Sequence, residues 1–224
     1  EQSHKGVIAG DTKATVEVGT TGWTMPVPIV KQADGWRFDI TDGQREIVAR
    51  RIGRNEFAVI QTLLAIVDAQ GDYAALDPMN LGVPAYAQKL LSTPGQKDGL
   101  YWETKPGEDP SPLGEMLAKA QAVKQRRGDH DDGFYGYQFR ILTAQGPATR
   151  LGARDYMMKG RLVGGFGVIA WPIRYGETGV MTFIVNQRGQ VWEQNLGPDT
   201  EARAEAITAY DPDGDWTKAD MDPP

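Results

Sequence analysis

The sequence contains no cysteine, which excludes disulfides, thiol nucleophiles and zinc–thiolate sites and leaves cytoplasm, periplasm and cell exterior equally open. Histidine and serine are nearly as scarce. His4 and His130 are the only imidazoles, and Ser3, Ser92 and Ser111 the only serines. With no GxSxG elbow a serine triad has little to draw on, and the lack of an HExxH and of a Walker lysine loop excludes a zinc peptidase and a P-loop nucleotidase. Runs of apolar residues are short, each broken by Gln, Asp or Gly, well below the roughly 18 in succession that a membrane helix needs. A one-signed charge field is missing too. The 30 acidic and 24 basic residues leave a net charge of -6, so nothing draws the chain to phosphate backbones or anionic lipid, and no nucleic-acid partner is expected.

What is present is enough apolar residue, 40% of the 224, to build a core. Ala14–Val18, Pro26–Val30 and Trp36–Ile40 read as strands of a small antiparallel meander, the last two joined by an Asp34-Gly35 turn. Pro26 and Pro28 each remove a ladder donor, so the segment Met25–Lys31 is expected at an edge, where a partner strand can add. A long helix is predicted from about Gln44 to Ala75, a shorter one over Ala85–Leu91 after Pro84, and a third opening at Ser111-Pro112 with the stripe Leu113, Met116, Leu117, Ala120 and Val123. The period then becomes alternating. Tyr135, Tyr137, Phe139 and Ile141 share one strand face, followed by strands at Val163–Trp171, Val180–Asn186 and Gln190–Gln194 and a closing helix over Thr200–Tyr210. The expected fold is therefore α+β: a long buried helix packed on an antiparallel sheet, preceded by the small β meander. Residues 1–43 form the meander, which would fit the end of a longer upstream domain, and 44–224 the α+β domain.

Two polar residues interrupt the apolar arc of the long helix. At about 100° per residue, with Ile52 at zero, Glu56 falls near ~40° and Gln70 near zero, among Leu63, Val67 and Ile60. A carboxylate there must be paired or hydrogen-bonded. The expected donors for Glu56 are arginines, Arg140 of the following sheet or Arg51 or Arg54 nearby, while Gln70 should satisfy loop backbone. Glu56, Gln70 and Arg140 are thus read as buried polar anchors. The competing reading makes Glu56 a perturbed carboxylate beside a cleft.

Other candidates are local. Asp211, Asp213 and Asp215, with Asp222 at the twelfth place, follow the spacing of a calcium loop, although Trp216 stands where its glycine belongs. Asp129-His130-Asp131-Asp132 offers oxygen ligands and an imidazole but also reads as a solvated turn. Gly165-Phe166-Gly167-Val168-Ile169-Ala170 matches GxGxxA inside a predicted strand, which points to close backbone packing and not to a dinucleotide. Trp23, in a glycine-flanked loop, with Val27 and Ile29 of the meander, is the expected partner contact. No cofactor is expected beyond that calcium loop.

The order of the long helix, the irregular middle and the strands Tyr137–Leu142 and Thr182–Asn186 resembles the globular part of pilin-like and pseudopilin-like proteins over about Gly53–Gln194. A closer whole-chain resemblance rests on Trp36–Asp39, Arg51–Glu56, Leu91-Ser92-Thr93-Pro94-Gly95, Lys97-Asp98-Gly99-Leu100-Tyr101-Trp102, Phe139–Gly146 and Gly164-Gly165-Phe166. By these the chain resembles a bacterial exported family, domain-of-unknown-function family 2950. That resemblance implies a secretory leader and an upstream segment, and Glu1 in place of methionine accords with either. The expected function is an exported, non-catalytic structural or protein-interaction component of a bacterial envelope or extracellular assembly, periplasmic or secreted, binding protein partners or itself by edge-strand addition. The alternatives are a periplasmic or secreted hydrolase and a small-ligand or calcium-binding module.

Overall fold

The computed structural model describes residues 4–9, 11–114 and 133–220. The chain forms two compact units, Glu1–Gly53 and Arg54–Pro224, which divide inside helix α1 (Ile40–Leu76).

The first unit is a four-stranded antiparallel sheet in the order β1 (His4–Ala9), β2 (Lys13–Val18), β3 (Ile29–Gln32) and β4 (Gly35–Phe38). It contains one strand more than the sequence suggested. The placement of Met25–Lys31 at an edge is corrected, because β3 is paired on both sides: Ile29 with Ala14 and with Phe38, Val30 with Lys13 and with Arg37. Pro26 and Pro28 precede Ile29, so neither takes a donor from the ladder. The sheet's outer strands are β1 and β4. Asp39 caps the helix that follows, its carboxylate accepting from the Asp42 backbone N–H at 3.0 Å.

In the second unit five antiparallel strands lie in the order β15 (Thr217–Lys218), β14 (Trp192–Gln194), β13 (Thr182–Asn186), β12 (Gly167–Pro172) and β7 (Tyr137–Leu142). Two short antiparallel pairs lie between β7 and β12 in sequence, β8 (Ala144–Gln145) with β9 (Arg154–Asp155) and β10 (Met157–Met158) with β11 (Arg161–Leu162). Every residue of β12 is buried, and its alternation explains why. Val168 and Ala170 join Val59, Leu63, Ile66 and Tyr73 of α1 in one core, while Ile169 and Trp171 face a second with Leu196, Tyr210, Trp216 and Ala204 of α2 (Thr200–Ala206). A strand covered on both faces loses the polar half of its pattern. The fold is therefore α+β, as the helical and alternating periods foretold.

Four local readings are corrected. The segment expected as a helix over Ala85–Leu91 is extended: Tyr86 bridges Leu162, and β5 (Lys89–Leu91) pairs in parallel with β6 (Gly99–Tyr101). The Tyr86 N–H is already given to Leu162 and both polar backbone groups of Ala87 to Gln70, leaving too few for a helical ladder. Tyr135 leaves the strand face. Its φ of 52° bends the chain ahead of β7 and its ring is exposed. Val163–Phe166 lies outside β12, and α2 stops at Ala206. Of the third predicted helix only its opening is described, with Leu113 buried and donating to the Leu100 carbonyl. Met116, Leu117, Ala120 and Val123, the Asp129–Asp132 cluster with His130, and Asp222 lie outside the described residues. Among the described residues no helix is long and apolar enough to cross a membrane.

Candidate functional site

Gln70 is fully buried, and its amide clasps Ala87 both ways: Nε2 donates to the carbonyl at 2.9 Å and Oε1 accepts from the N–H at 2.8 Å. Glu56 is satisfied differently from the arginine pairing that its position suggested. Its Oε1 accepts from the backbone N–H groups of Val180 and Met181 at 2.8 and 2.9 Å and from the Tyr137 hydroxyl at 3.3 Å. Burial, reinforced by the nearby Glu56 charge, pushes the Tyr137 phenol far above its ordinary range, so it stays a donor. Arg140 serves another element, giving its guanidinium to the carbonyls of Ala204 and Ile207 at the end of α2 (2.8 and 2.7 Å) with its charge over the Trp171 ring. A cation there meets the negative end of the helix. All three anchors are thus engaged in holding segments together.

Glu193 on β14 stands near this group. Burial, then the charges of Glu56 and Asp220, raises its carboxyl above the ordinary value. A raised folded-state value favours the neutral form, so the associated stability is full below the unfolded value and lost as pH rises through the folded one. Glu193→Gln is therefore expected to stabilise the protein at about pH 7 by a few tenths of a kcal/mol, the side chain being half-exposed and screened, and to do nothing at about pH 3. Urea unfolding at the two pH values checks this.

Of the acidic loop, Asp211, Asp213 and Asp215 lie among the described residues and Asp222 outside them. Asp211 accepts from the Ala148 N–H and Asp213 from the Asp215 N–H, and among the described residues no group of three or more His, Asp or Glu is placed to hold a metal. In the first unit Trp23 is 51% exposed, whereas Val27 and Ile29 are half-buried, Val27 lying so close to Gly43 that a methyl added there would come within 2.7 Å of its Cγ2.

The feature that sequence reasoning missed is a cleft of about 1060 Å³ walled by Gln88–Lys97, Tyr101–Glu103 and Phe139–Ile141. Its wall is built by β5 and β6, which approach so closely that a Cβ on Gly99 would fall 2.6 Å from the Ser92 nitrogen. Asp98 closes the Ser92–Asp98 loop by accepting from the Thr93 N–H, the Thr93 hydroxyl and Lys89 Nζ at 2.7, 2.9 and 2.6 Å. Burial would raise its carboxyl, but these hydrogen bonds and the Lys89 charge outweigh burial and hold it below the ordinary range. Beneath the loop the Tyr73 hydroxyl donates to the Lys97 carbonyl at 2.7 Å, its own value pushed up to about 12 mainly by burial. The Tyr73 ring meets Trp102 edge-on at 6.3 Å, and Lys97 Nζ lies 5.3 Å from the centre of the Trp102 ring. The Trp102 Nε1–H is buried with no acceptor among the described residues. The signal for this cleft was in the sequence, since Leu91–Gly95 and Lys97–Trp102 are two of the segments that carry the family resemblance, but nothing in their spacing said that they face one hollow.

Fold and site together define a two-unit α+β protein in which Glu56, Gln70 and Arg140 hydrogen-bond backbone groups of other segments and a cleft lies in the second unit. The chain belongs to the family described as a protein of unknown function, DUF2950, whose model matches residues 1–219. No curated protein and no solved structure matches it.

Proposed function

We propose that this chain is an exported, non-catalytic structural or protein-interaction component of a bacterial envelope or extracellular assembly, acting outside the cytoplasm. The order of a long helix followed by an antiparallel sheet, which is that of pilin-like proteins, supports the reading. The observation that carries it is β4. This outer strand is paired on one side by β3, and its aromatic residues face solvent, Trp36 at 46% and Phe38 at 54% exposure, with Ile40 at 60% just beyond. Asp39 donates its N–H inward to Pro28, so by antiparallel alternation the backbone groups of Phe38 and Trp36 point outward. An unpaired strand edge beside exposed aromatics is a docking edge for another strand. It takes the place of the Met25–Lys31 segment in that role.

Association should therefore grow with concentration in light scattering behind a sizing column. Trp36→Ser with Phe38→Ser should leave a folded monomer, because exposed side chains contribute little to stability, typically within about 0.5 kcal/mol. A wild-type chain that stays monomeric at every concentration and binds no partner would remove this reading. The alternative of a small-ligand-binding module draws on the cleft. The hydrolase alternative would turn on Glu56, whose donors are two backbone amides and a buried tyrosine.

A further inference from the structure

The cleft of the second unit bears a charge opposite to that of the chain as a whole. The chain's net charge is -6, yet the cleft is lined by Lys89, Lys97 and Lys105 against Glu103, with Asp98 bonded to Lys89 at its edge. Arg140, also along the wall, turns its guanidinium to α2 on the opposite face of the sheet. One of these lysines is already engaged, Lys89 by Asp98. Lys97 and Lys105 remain, without an ion-pair partner among the described residues. Lys97 is exposed, and its ammonium, 5.3 Å from the centre of the Trp102 ring, gains a contact that favours keeping its charge at the rim. Between the cations the lining mixes apolar and polar groups, Leu90 and Phe139 buried and Leu91 and Ile141 half-buried beside Gln88, Ser92, Thr93 and Gln96.

We propose that this cleft binds an acidic peptide segment of another protein, its carboxylates meeting Lys97 and Lys105 and its intervening apolar side chains lying on Leu91, Phe139 and Ile141. Three observations select this occupant. The charge at the rim asks for an anion. A volume of about 1060 Å³ is at the upper end for a small-molecule pocket, roughly 300–1,000 Å³, and suits a chain of several residues. For a sugar, Trp102 offers no open stacking face, being only 8% exposed with Lys97 over its ring, and Tyr101 is half-buried. The site shares no residue with β4 and stands whether or not the chain self-associates.

The test titrates the full chain into a fluorescein-labelled synthetic peptide alternating Glu and Leu, read by anisotropy, beside a Gln/Leu peptide of equal length. The acidic peptide should bind saturably, the neutral one at least about tenfold more weakly, and added salt should weaken the first and not the second. Lys97→Glu with Lys105→Glu should weaken the acidic peptide by about tenfold or more at low salt. Lys97→Met, which keeps a chain over Trp102, should share part of that loss with an unchanged melting temperature, separating charge from packing. Equal binding of the two peptides, no saturable binding, or full affinity in the double variant would overturn the proposal. Displacement of the acidic peptide by oligogalacturonate at lower concentration would overturn it in favour of an anionic glycan.

Discussion

Gln70→Leu is expected to cost about 4 kcal/mol in urea unfolding, at an unchanged m-value. Leucine nearly conserves the volume, so little of the loss should come from a cavity. The loss comes from Ala87, which is 1% exposed and whose N–H and C=O both rest on the Gln70 amide. With leucine opposite them the two groups stay buried and unpaired, at roughly 2 kcal/mol each. Asparagine should not rescue, since it is one methylene too short, and Gln70→Glu should rescue only in part, because a carboxylate accepts from the N–H but cannot donate to the carbonyl. The effect has a functional side as well. Ala87 fixes the chain two residues before β5, a wall of the cleft, so the variant should also weaken the acidic peptide where it remains folded. A loss below about 1 kcal/mol would mean that the segment finds other partners and that the clasp does not set its path.

That clasp shows what the sequence could and could not say. The helical wheel placed Gln70 on the buried arc, and a buried amide must be satisfied, so its role as a holder of loop backbone was legible. Which loop it holds was not. Pro84 with the apolar residues after it looked like a helix start, and only the long-range claim of Gln70 on Ala87 and of Leu162 on Tyr86 makes that stretch extended. The same limit applies to β3, where local proline chemistry pointed to an edge but pairing with β2 and β4 decided the matter. Local propensity fixes what a segment tolerates, and distant partners choose among the tolerated states. The cleft lies wholly on the second side of that divide. Lys97, Trp102 and Phe139 are ordinary surface and core types until β5, β6 and β7 bring them around one hollow.

Glu56→Ala is expected to cost about 3 kcal/mol and Glu56→Gln about 1 kcal/mol. In the alanine variant the N–H groups of the half-buried Val180 and Met181 lose their shared acceptor. Tyr137 is fully buried, and a methyl placed on Gly179 would come within 2.0 Å of its hydroxyl oxygen. The Tyr137 hydroxyl keeps its second acceptor, the Met181 carbonyl at 2.9 Å, so most of the loss should lie in the two amides. Glutamine restores a neutral oxygen to them and gives up only the charge-assisted part of the bonds. The pair of variants therefore separates the two roles of this carboxylate by measurements on one protein. If Glu56 is an anchor, stability falls in the order wild type, Gln, Ala, and the glutamine variant still associates and binds the acidic peptide as wild type does. If Glu56 works as a general acid or base, the glutamine variant keeps the fold but cannot exchange a proton, and any hydrolytic activity found for the chain disappears with the fold intact. A carboxylate held by two backbone amides and a tyrosine that stays protonated is built for the first of these outcomes.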